Sequence, residues 1–487
     1  VKPISLSSIR PERLDDYRWR IPRTGPMRVD GLVYADDALF AAIRNDPALV
    51  QVCNVATLPG IVGPSMAMPD IHWGYGFPIG GVAAFDEDEG VISPGGVGYD
   101  ISCGVRLLRT TLPVEEVRHE RRLGPLVDAL FREIPSGVGK TTRGRLNRRE
   151  LKGVMLRGAG WAVERGFGRP ADLEQIEDRG CMPGADPAAV SERAVERGAA
   201  QLGTLGSGNH FLELQRVDRL YDEKAAAVLG LVKGQVTVSI HTGSRGFGYQ
   251  ICEDHLRKMV KAAARYGIDL PDRQLCCAPL TSPEGRAYLG AMACGANFAF
   301  ANRQVITQRV RDCFGKVFGE QETGERIGVV YDVCHNLAKL ETHSLGGEKR
   351  RLCVHRKGAT RCLAPGHPDL PAAYRAIGQP VLIPGDMGRY SYVLCGDPGA
   401  EQATFASSCH GAGRVLSRKK ARALARGRSL LDEMAERGVL VRSQGRATVA
   451  EEMPEAYKDV AEVVASVEGA GLARRVARLV PFAVIKG

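Results

Sequence analysis

Histidine is scarce in this chain, with 10 copies in 487 residues, and aromatic residues make up only 6%. The 13 cysteines include no CxxC pair. That spacing excludes a secreted disulfide scaffold, and reduced, mostly buried thiols in a cytoplasmic protein are expected instead. No apolar run approaches the ~18–20 residues that a bilayer-spanning helix needs, so no membrane partner is expected. The stretch VKPISLSSIRPERLDDYRWRIP has no apolar core, so no signal peptide is expected. Internal repeats and low-complexity tracts are missing, which excludes solenoids and fibrous folds. The pattern G-x-x-x-x-G-K-[ST] is absent, as is a strand–GxGxxG–helix unit, so neither a P-loop nor a Rossmann dinucleotide site is expected. No exposed heptad pattern appears, and a monomer is expected.

The chain is long enough for one large domain or for two to four ordinary ones. Apolar residues make up 44%, so a sizeable core can form. The 58 glycines sit mostly beside His, Ser, Asn and Asp, a pattern of tight turns carrying polar groups. Lys and Arg number 66 against 56 Asp and Glu, a net charge of +10. Such a surface suits a polyanion, nucleic acid being the commonest, although a basic protein without such a partner has the same composition. Helical spacing of apolar residues appears near 114–134, 190–202, 254–267, 284–312, 417–437 and 455–478. Short β-like runs lie at 236–240, 327–333, 380–384 and 392–394. The stretch 136–187, rich in Gly, Arg and Pro, reads as loops with short helices. Motif-bearing loops are spread from residue 70 to residue 486. A site assembled from such distant pieces points to one large α+β domain over 1–487, with β-sheets layered against helices and surface insertions at 136–187.

Six of the histidines stand in short polar, glycine-flanked segments: MPDIHWGYG (His72), GSGNHFLEL (His210), IHTGSRGFG (His241), CHNLAKLE (His335), VHRKGATR (His355) and SCHGAGR (His410). His119, His255, His343 and His367 lack that setting and read as structural or solvated. In GGVGYDISCGVRLL, Asp100 and Cys103 are three apart, so on a turn both can face one ion. Taken alone, they read as a turn residue and a buried thiol. Thiolate, carboxylate and imidazole together suit Zn²⁺, Mn²⁺, Co²⁺ or Ni²⁺. His241 and His335 each follow an apolar β-like run, and strand ends converge well on a cleft. With His210 they complete five donors, enough for two ions sharing Cys103, which can polarise phosphoryl oxygens. The loops GTLGSGNH, IPGDMGRYS and HGAGR can offer backbone N–H groups to phosphates. Positive charge gathers at Arg414–Arg428 and Arg474–Arg478. The first cluster adjoins His410 and suits phosphate-backbone contact; both also read as solvated helix faces.

Together these segments resemble the RtcB family of RNA-splicing ligases. The likeness runs from MPDIHWGYGFPIGG to the terminal VIKG and rests on GGVGYDISCGVR, GSGNHFLEL, HTGSRGFGYQ, HNLAKLE, HRKGATR, SYVL and HGAGR in the family's order. It implies an RtcB-like fold and an enzyme that joins RNA ends bearing a 2′,3′-cyclic phosphate or 3′-phosphate to 5′-hydroxyl ends. GTP and two Mn²⁺ ions are implied as cofactors, with Zn²⁺ or Co²⁺ as other occupants, and an archease-type protein as an activating partner. A histidine–GMP intermediate and a guanylylated RNA 3′ end are implied on the path. The matching nucleophile is His410, and imidazole is a competent phosphoryl acceptor. Asp100, Cys103, His210, His241 and His335 match the metal ligands. Guanine nucleotide binding maps onto Asn209, His210, Phe211, Leu212 and Glu213. It also draws on His335, Asn336, Pro384, Gly385, Asp386, Met387, Ser391, His410, Gly411, Ala412, Gly413 and Lys486. Glu213 would accept from the guanine N1–H and N2–H₂ edge. Arg245, Arg414 and Lys357 are candidates for the RNA terminal phosphate, since Arg suits bidentate contact.

The loop IPGDMGRYSYVL departs from the family, where Ser or Thr often follows IPG. Asp386 is expected to pair with guanine donors or with Arg389, and the departure fits a subfamily that repairs cleaved RNA. Two other readings compete. A metal-dependent RNA phosphodiesterase or phosphatase would use the same metal donors without GTP. An RNA-binding protein with a decayed centre would not have kept the donor set and His410 intact.

Overall fold

The computed structural model describes residues 4–142, 144–319 and 326–487. Its architecture is α+β, a single large domain of two principal sheets packed with helices. The first sheet runs in the order Gly328–Cys334, Gly104–Pro113, Gln235–Thr242, Phe211–Leu220, Ala473–Lys486, Ser391–Gly396 and Pro380–Ile383. Every neighbouring pair along that path is antiparallel. Leu440–Ser443 adds to Ala473–Lys486 as a parallel strand. The second sheet runs Glu12–Arg13, Arg18–Ile21, Gly31–Tyr34, Ile61–His72, Ile79–Asp86, Glu348–Lys357 and Asn336–Leu345.

Register decides what the first sheet can do. Gly104 pairs with both Thr242 and Cys334, His241 pairs with Phe211, and Phe211 pairs with Lys486. Antiparallel strands alternate starts and ends, so these pairings bring the start of one strand beside the end of the next. Residues flanking all five strands, from Cys103 to Lys486, therefore meet at one end of the sheet.

The 36-residue helix Pro283–Phe318 braces that end. It starts on a sequence signal: Ser282 accepts from the Gly285 N–H at 3.0 Å and Pro283 fills the first turn. Its Ala- and Gly-rich middle lets other elements approach closely. A Cβ on Gly295 would stand 3.1 Å from Ile101, the residue after Asp100. From the same helix, Arg303 is fully buried and donates to Asp332, to Ser102 O at 2.9 Å and to Thr242 O at 2.9 Å. Arg106 also meets Asp332 at 2.7 Å. These pairs hold the sheet end rigid; removing one partner would strand a buried charge, at a cost of roughly 3–5 kcal/mol.

Two expectations need correction. Residues 136–187 hold more than loops and short helices: Arg148–Val163 is a 16-residue helix, closed by an Asn147–Glu150 capping box. It packs in the main core through Leu151, Val154 and Trp161. It kinks at Gly158, where φ is +51° and a Cβ would lie 2.1 Å from Gly180 O. The helical reading of 455–478 holds for Val460–Gly469 only; Ala473–Lys486 is a strand. Consequently Arg474, Arg475 and Arg478 form no basic helix face. They pair with Asp222, Glu468 and Asp218. All thirteen cysteines are free and all but Cys181 are buried. Among the described residues no helix is long and apolar enough to cross a membrane.

Candidate active site

The five proposed donors converge at the sheet end. Asp100 and Cys103 share a tight turn, in which the Cys103 N–H donates to Asp100 O at 3.0 Å. Between them Ser102 adopts φ +56°, a conformation L-residues avoid. Arg303, the Ser102 N–H donating to Asn336 O at 2.8 Å, and the His335 N–H donating to Cys103 O at 2.8 Å hold the turn in place. Nε2 of His241 lies 3.3 Å from Cys103 Sγ and 3.2 Å from His335 Nε2. Nε2 of His210 lies 3.3 Å from the same sulfur and 2.9 Å from Asp100 Oδ2. Two overlapping donor groups result, Cys103–His241–His335 and Asp100–Cys103–His210, sharing the thiol.

These spacings fit metal ions. Tetrahedral Zn-type bonds of about 2.0–2.3 Å would set donors roughly 3.3–3.7 Å apart. Burial pushes the His241 and His335 imidazoles well below their ordinary pKa, and His210 below it too, so all three are neutral with lone pairs to offer. Burial and the neighbouring Asp100 push the Cys103 thiol well up. Burial also opposes ionisation of Asp100, yet His210 and Arg245 hold it at about 2. A cation among these groups would draw on the imidazole lone pairs and the Asp100 charge together and would favour loss of the Cys103 proton.

Arg245, at φ +55°, opens the helix Arg245–Arg265 and lies 2.9 Å from His210 Nδ1. When the guanidinium donates to Nδ1, the His210 proton is on Nε2, where Asp100 accepts it. A cation at Nε2 needs the other tautomer, and Arg245 must then turn away, which frees its charge.

His410 follows the short strand Ser407–Cys409 and packs edge-on to His335, ring centroids 4.9 Å apart. Its Nδ1 lies 2.5 Å from Asp70 Oδ2, and its backbone N–H donates to the same oxygen at 3.0 Å. Asp70 is fully buried. Burial alone would raise its pKa, but His410 and Lys458 bring it below the ordinary carboxylate range. The ionised carboxylate accepts from Nδ1, and in that tautomer of a neutral imidazole the lone pair is on Nε2. Lys458 donates to Pro69 O at 2.9 Å and Ile71 O at 2.7 Å, fixing the segment from both sides. Gly413 must be glycine: a Cβ there would stand 2.1 Å from Asp70 O, at φ +74°.

A cavity of about 240 Å³ opens beside His410. Asn209, Phe211, Glu213, Pro384, Gly385, Asp386, Met387, Gly411, Ala412, Gly413, Arg414 and Lys486 line it, with His72 at its edge. Five nucleotide candidates do not line it: His210 and His335 belong to the donor groups, and three others are engaged elsewhere. Ser391 accepts from Gln215 and from the Gly385 N–H, Asn336 donates to Asp100 O, and Leu212 lies in the hydrophobic core. Burial, with Asp386 nearby, pushes Glu213 up to about 8 although Lys486 opposes it. The Lys486 ammonium is 3.4 Å from Glu452 and from Gly208 O, and lies over the Phe211 ring. Asp386 accepts from the Gly388 N–H at 2.9 Å and stands 3.3 Å from Arg389, and burial holds its carboxyl at about 6.

The remaining candidates lie elsewhere or are engaged. The Lys357 ammonium is buried and donates to the carbonyls of Tyr75, Phe77 and Gly95, leaving no face for phosphate. His355 is buried between Phe77 and Phe85, accepting from the Ser93 N–H. Arg414 reaches the cavity but meets Glu452 and Tyr457, both at 3.0 Å. Asp70 was missed in the sequence; its signal was a lone carboxylate inside the uncharged run MAMPDIH. A larger cavity, about 910 Å³, lies around Lys339–Ser344 and Arg361, and neither the five donors nor His410 line it. Its wall carries paired charges such as Lys339 with Glu177 and Asp178, so volume does not mark the reactive centre.

A family model described as tRNA-splicing ligase RtcB matches residues 51–487. A tRNA-splicing ligase RtcB of Thermococcus kodakarensis is 55% identical over 477 residues, 98% of each chain. The protein of the same description from Archaeoglobus fulgidus is 51% identical over 98% of each chain. An RNA-splicing ligase RtcB of Mycobacterium tuberculosis is 57% identical over 441 residues, 90% of this chain and all of the relative.

Proposed function

The chain belongs to the RtcB family, and from that premise we propose that it is a GTP- and metal-dependent ligase joining RNA 3′-phosphate or 2′,3′-cyclic phosphate ends to 5′-hydroxyl ends. The observation that carries this reading is the His410–Asp70 pair, set between a five-donor metal centre and a cavity with a carboxylate and an ammonium inside. A hydrolase would need the metal donors alone.

In the proposed sequence, His410 Nε2 attacks the α-phosphorus of GTP. The N–P bond forms, the bond to the β-phosphate oxygen breaks, and pyrophosphate leaves. The Asp70 carboxylate keeps the Nδ1 proton in place and stabilises the charge that appears on the ring. An RNA 3′-phosphate oxygen then takes the GMP from Nε2. A 5′-hydroxyl oxygen attacks the activated 3′-phosphorus, loses its proton to solvent and expels GMP. A cyclic phosphate end first takes up water to become a 3′-phosphate. Cys103, His241 and His335, and Asp100, Cys103 and His210, would hold two ions, Mn²⁺ by family likeness, which supply charge neutralisation for the phosphates. Glu213 would accept from the guanine edge, and Arg245, once turned from His210, would meet an RNA phosphate. We extend the proposal to residues 1–487 acting as one cytoplasmic, monomeric catalytic domain, to RNA repair as its setting, and to an archease-type activator.

The test is incubation with α-labelled GTP and Mn²⁺, with and without such an activator, followed by denaturing electrophoresis. Label stays on the wild-type chain and is absent from His410→Ala. Absence of an acid-labile adduct under every condition removes the ligase mechanism.

A further inference from the structure

A ladder of partly exposed aromatic rings stands next to the metal donors and plays no part in the chemistry above. Tyr99 directly precedes Asp100. Tyr249 lies in the first turns of the helix that Arg245 opens. The Tyr99 and Tyr249 rings stack at 4.8 Å and 25°, and Tyr75 meets Tyr99 edge-on at 5.4 Å. Tyr75 and Tyr99 are anchored on the main core. Tyr249 is 43% exposed. The exposed Arg197 lies over its ring at 5.0 Å, tethered to Gln250 at 2.9 Å.

A single exposed ring needs no explanation, whereas a stacked set backed by the core and overlain by a guanidinium is a preformed surface for a flat π-system. Unpaired nucleobases are recognised in this way, by stacking on aromatic faces and on arginine planes. The magnitudes favour an incoming base over Arg197 alone. An exposed cation–π contact is worth about two- to fivefold in affinity, against about five- to hundredfold for a base stacked on an aromatic ring.

We propose that Tyr249, backed by Tyr99 and Tyr75 and overlain by Arg197, is the stacking platform for a nucleobase of the RNA strand entering the active site. This rests on the ligase reading for the identity of the strand. The base stacks on the exposed Tyr249 ring with the Arg197 guanidinium layered against it, and the strand's terminus then reaches the donors next to Tyr99.

The test compares wild type, Tyr249→Ala and Tyr249→Phe in three measurements: guanylylation of His410 without RNA, kcat and KM for ligation, and fluorescence anisotropy with a labelled single-stranded oligoribonucleotide. Guanylylation is expected to be equal in all three proteins. Tyr249→Ala is expected to raise KM for RNA about five- to hundredfold at little change in kcat, and Tyr249→Phe to stay within about twofold. Abasic sites placed one at a time near the 5′-hydroxyl end and near the 3′-phosphate end tell which strand uses the platform. At the position that stacks, the abasic site weakens wild type and leaves Tyr249→Ala unchanged. An unchanged KM and affinity for Tyr249→Ala, or abasic effects that add to the substitution at every position, would overturn the platform. A wild-type chain that forms no adduct would instead overturn the ligase reading, and the anisotropy ratio would still decide whether Tyr249 stacks bases.

Discussion

Replacing Asp70 with asparagine keeps the side-chain shape and removes the charge that orients the nucleophile. In the native chain one carboxylate oxygen takes both the ring Nδ1 proton and the backbone N–H of His410. A buried hydrogen bond to a charged group is worth about 1.5–3 kcal/mol. Lost in the transition state, that is about 10- to 150-fold in rate. Asparagine adds a second penalty when its amide N–H₂ faces Nδ1, because the proton then moves to Nε2 and the nucleophilic lone pair is gone. In a Ser-His-Asp triad the corresponding change costs roughly 10⁴-fold. The guanylylation rate of Asp70→Asn is therefore expected to fall by about 10²- to 10⁴-fold, measured as single-turnover adduct formation with saturating labelled GTP. Stability gives an independent check. Because the folded pKa of Asp70 lies below the ordinary carboxylate value, its stabilisation is present above about pH 4 and is lost as pH falls through the folded pKa. The melting temperatures of wild type and variant should thus converge in acid and separate near neutrality. A guanylylation rate within about threefold of wild type would refute the assignment of Asp70 as the group that sets the His410 tautomer.

Three further outcomes are expected. Glu213 is protonated at neutral pH in the free chain, its pKa being about 8. If it accepts from guanine as a carboxylate, nucleotide binding releases a proton, and affinity rises with pH up to about 8. Calorimetry in buffers of different ionisation heat reads this directly, and proton uptake or pH-independent affinity would contradict it. Cys103→Ala removes the donor common to both groups and should lose bound metal; unchanged stoichiometry on metal analysis would take Cys103 out of the ligand set. Asp386→Ser should weaken GTP binding by removing the partner of Arg389 and of the Gly388 N–H. Unchanged or tighter binding would count against a role for Asp386 at the nucleotide.

The donor set was legible because each member has a local signal. His241 and His335 close apolar runs, His210 and His410 stand among glycines, and Asp100 is three residues from Cys103. The sheet register that gathers them was not legible, since it depends on pairings between strands far apart in sequence. Ala473–Lys486 misled for a related reason. It is paired on both sides, so ten of its fourteen positions, including the last six, are buried and the alternation that marks a half-exposed strand is erased. The preceding helix, ending near Gly469 and Gly471, carried its periodicity into the reading. Lys486 has no local signal of its own, and its pairing with Phe211 is what puts it in the cavity wall. Arg148–Val163 was obscured by glycines that serve packing: a Cβ on Gly153 would stand 2.6 Å from Trp161. Asp70 has no motif of its own, and only the fold brings it to a histidine 340 residues away.

The most direct measurement uses two RNA strands, one ending in a labelled 3′-phosphate and the other beginning with a 5′-hydroxyl, incubated with the chain, Mn²⁺ and GTP. Expected is a joined product in which the labelled phosphate resists phosphatase, formed only with GTP present and not by His410→Ala. A label released as inorganic phosphate with no joined product, at the same rate with or without GTP, would contradict the ligase assignment and favour a metal-dependent hydrolase.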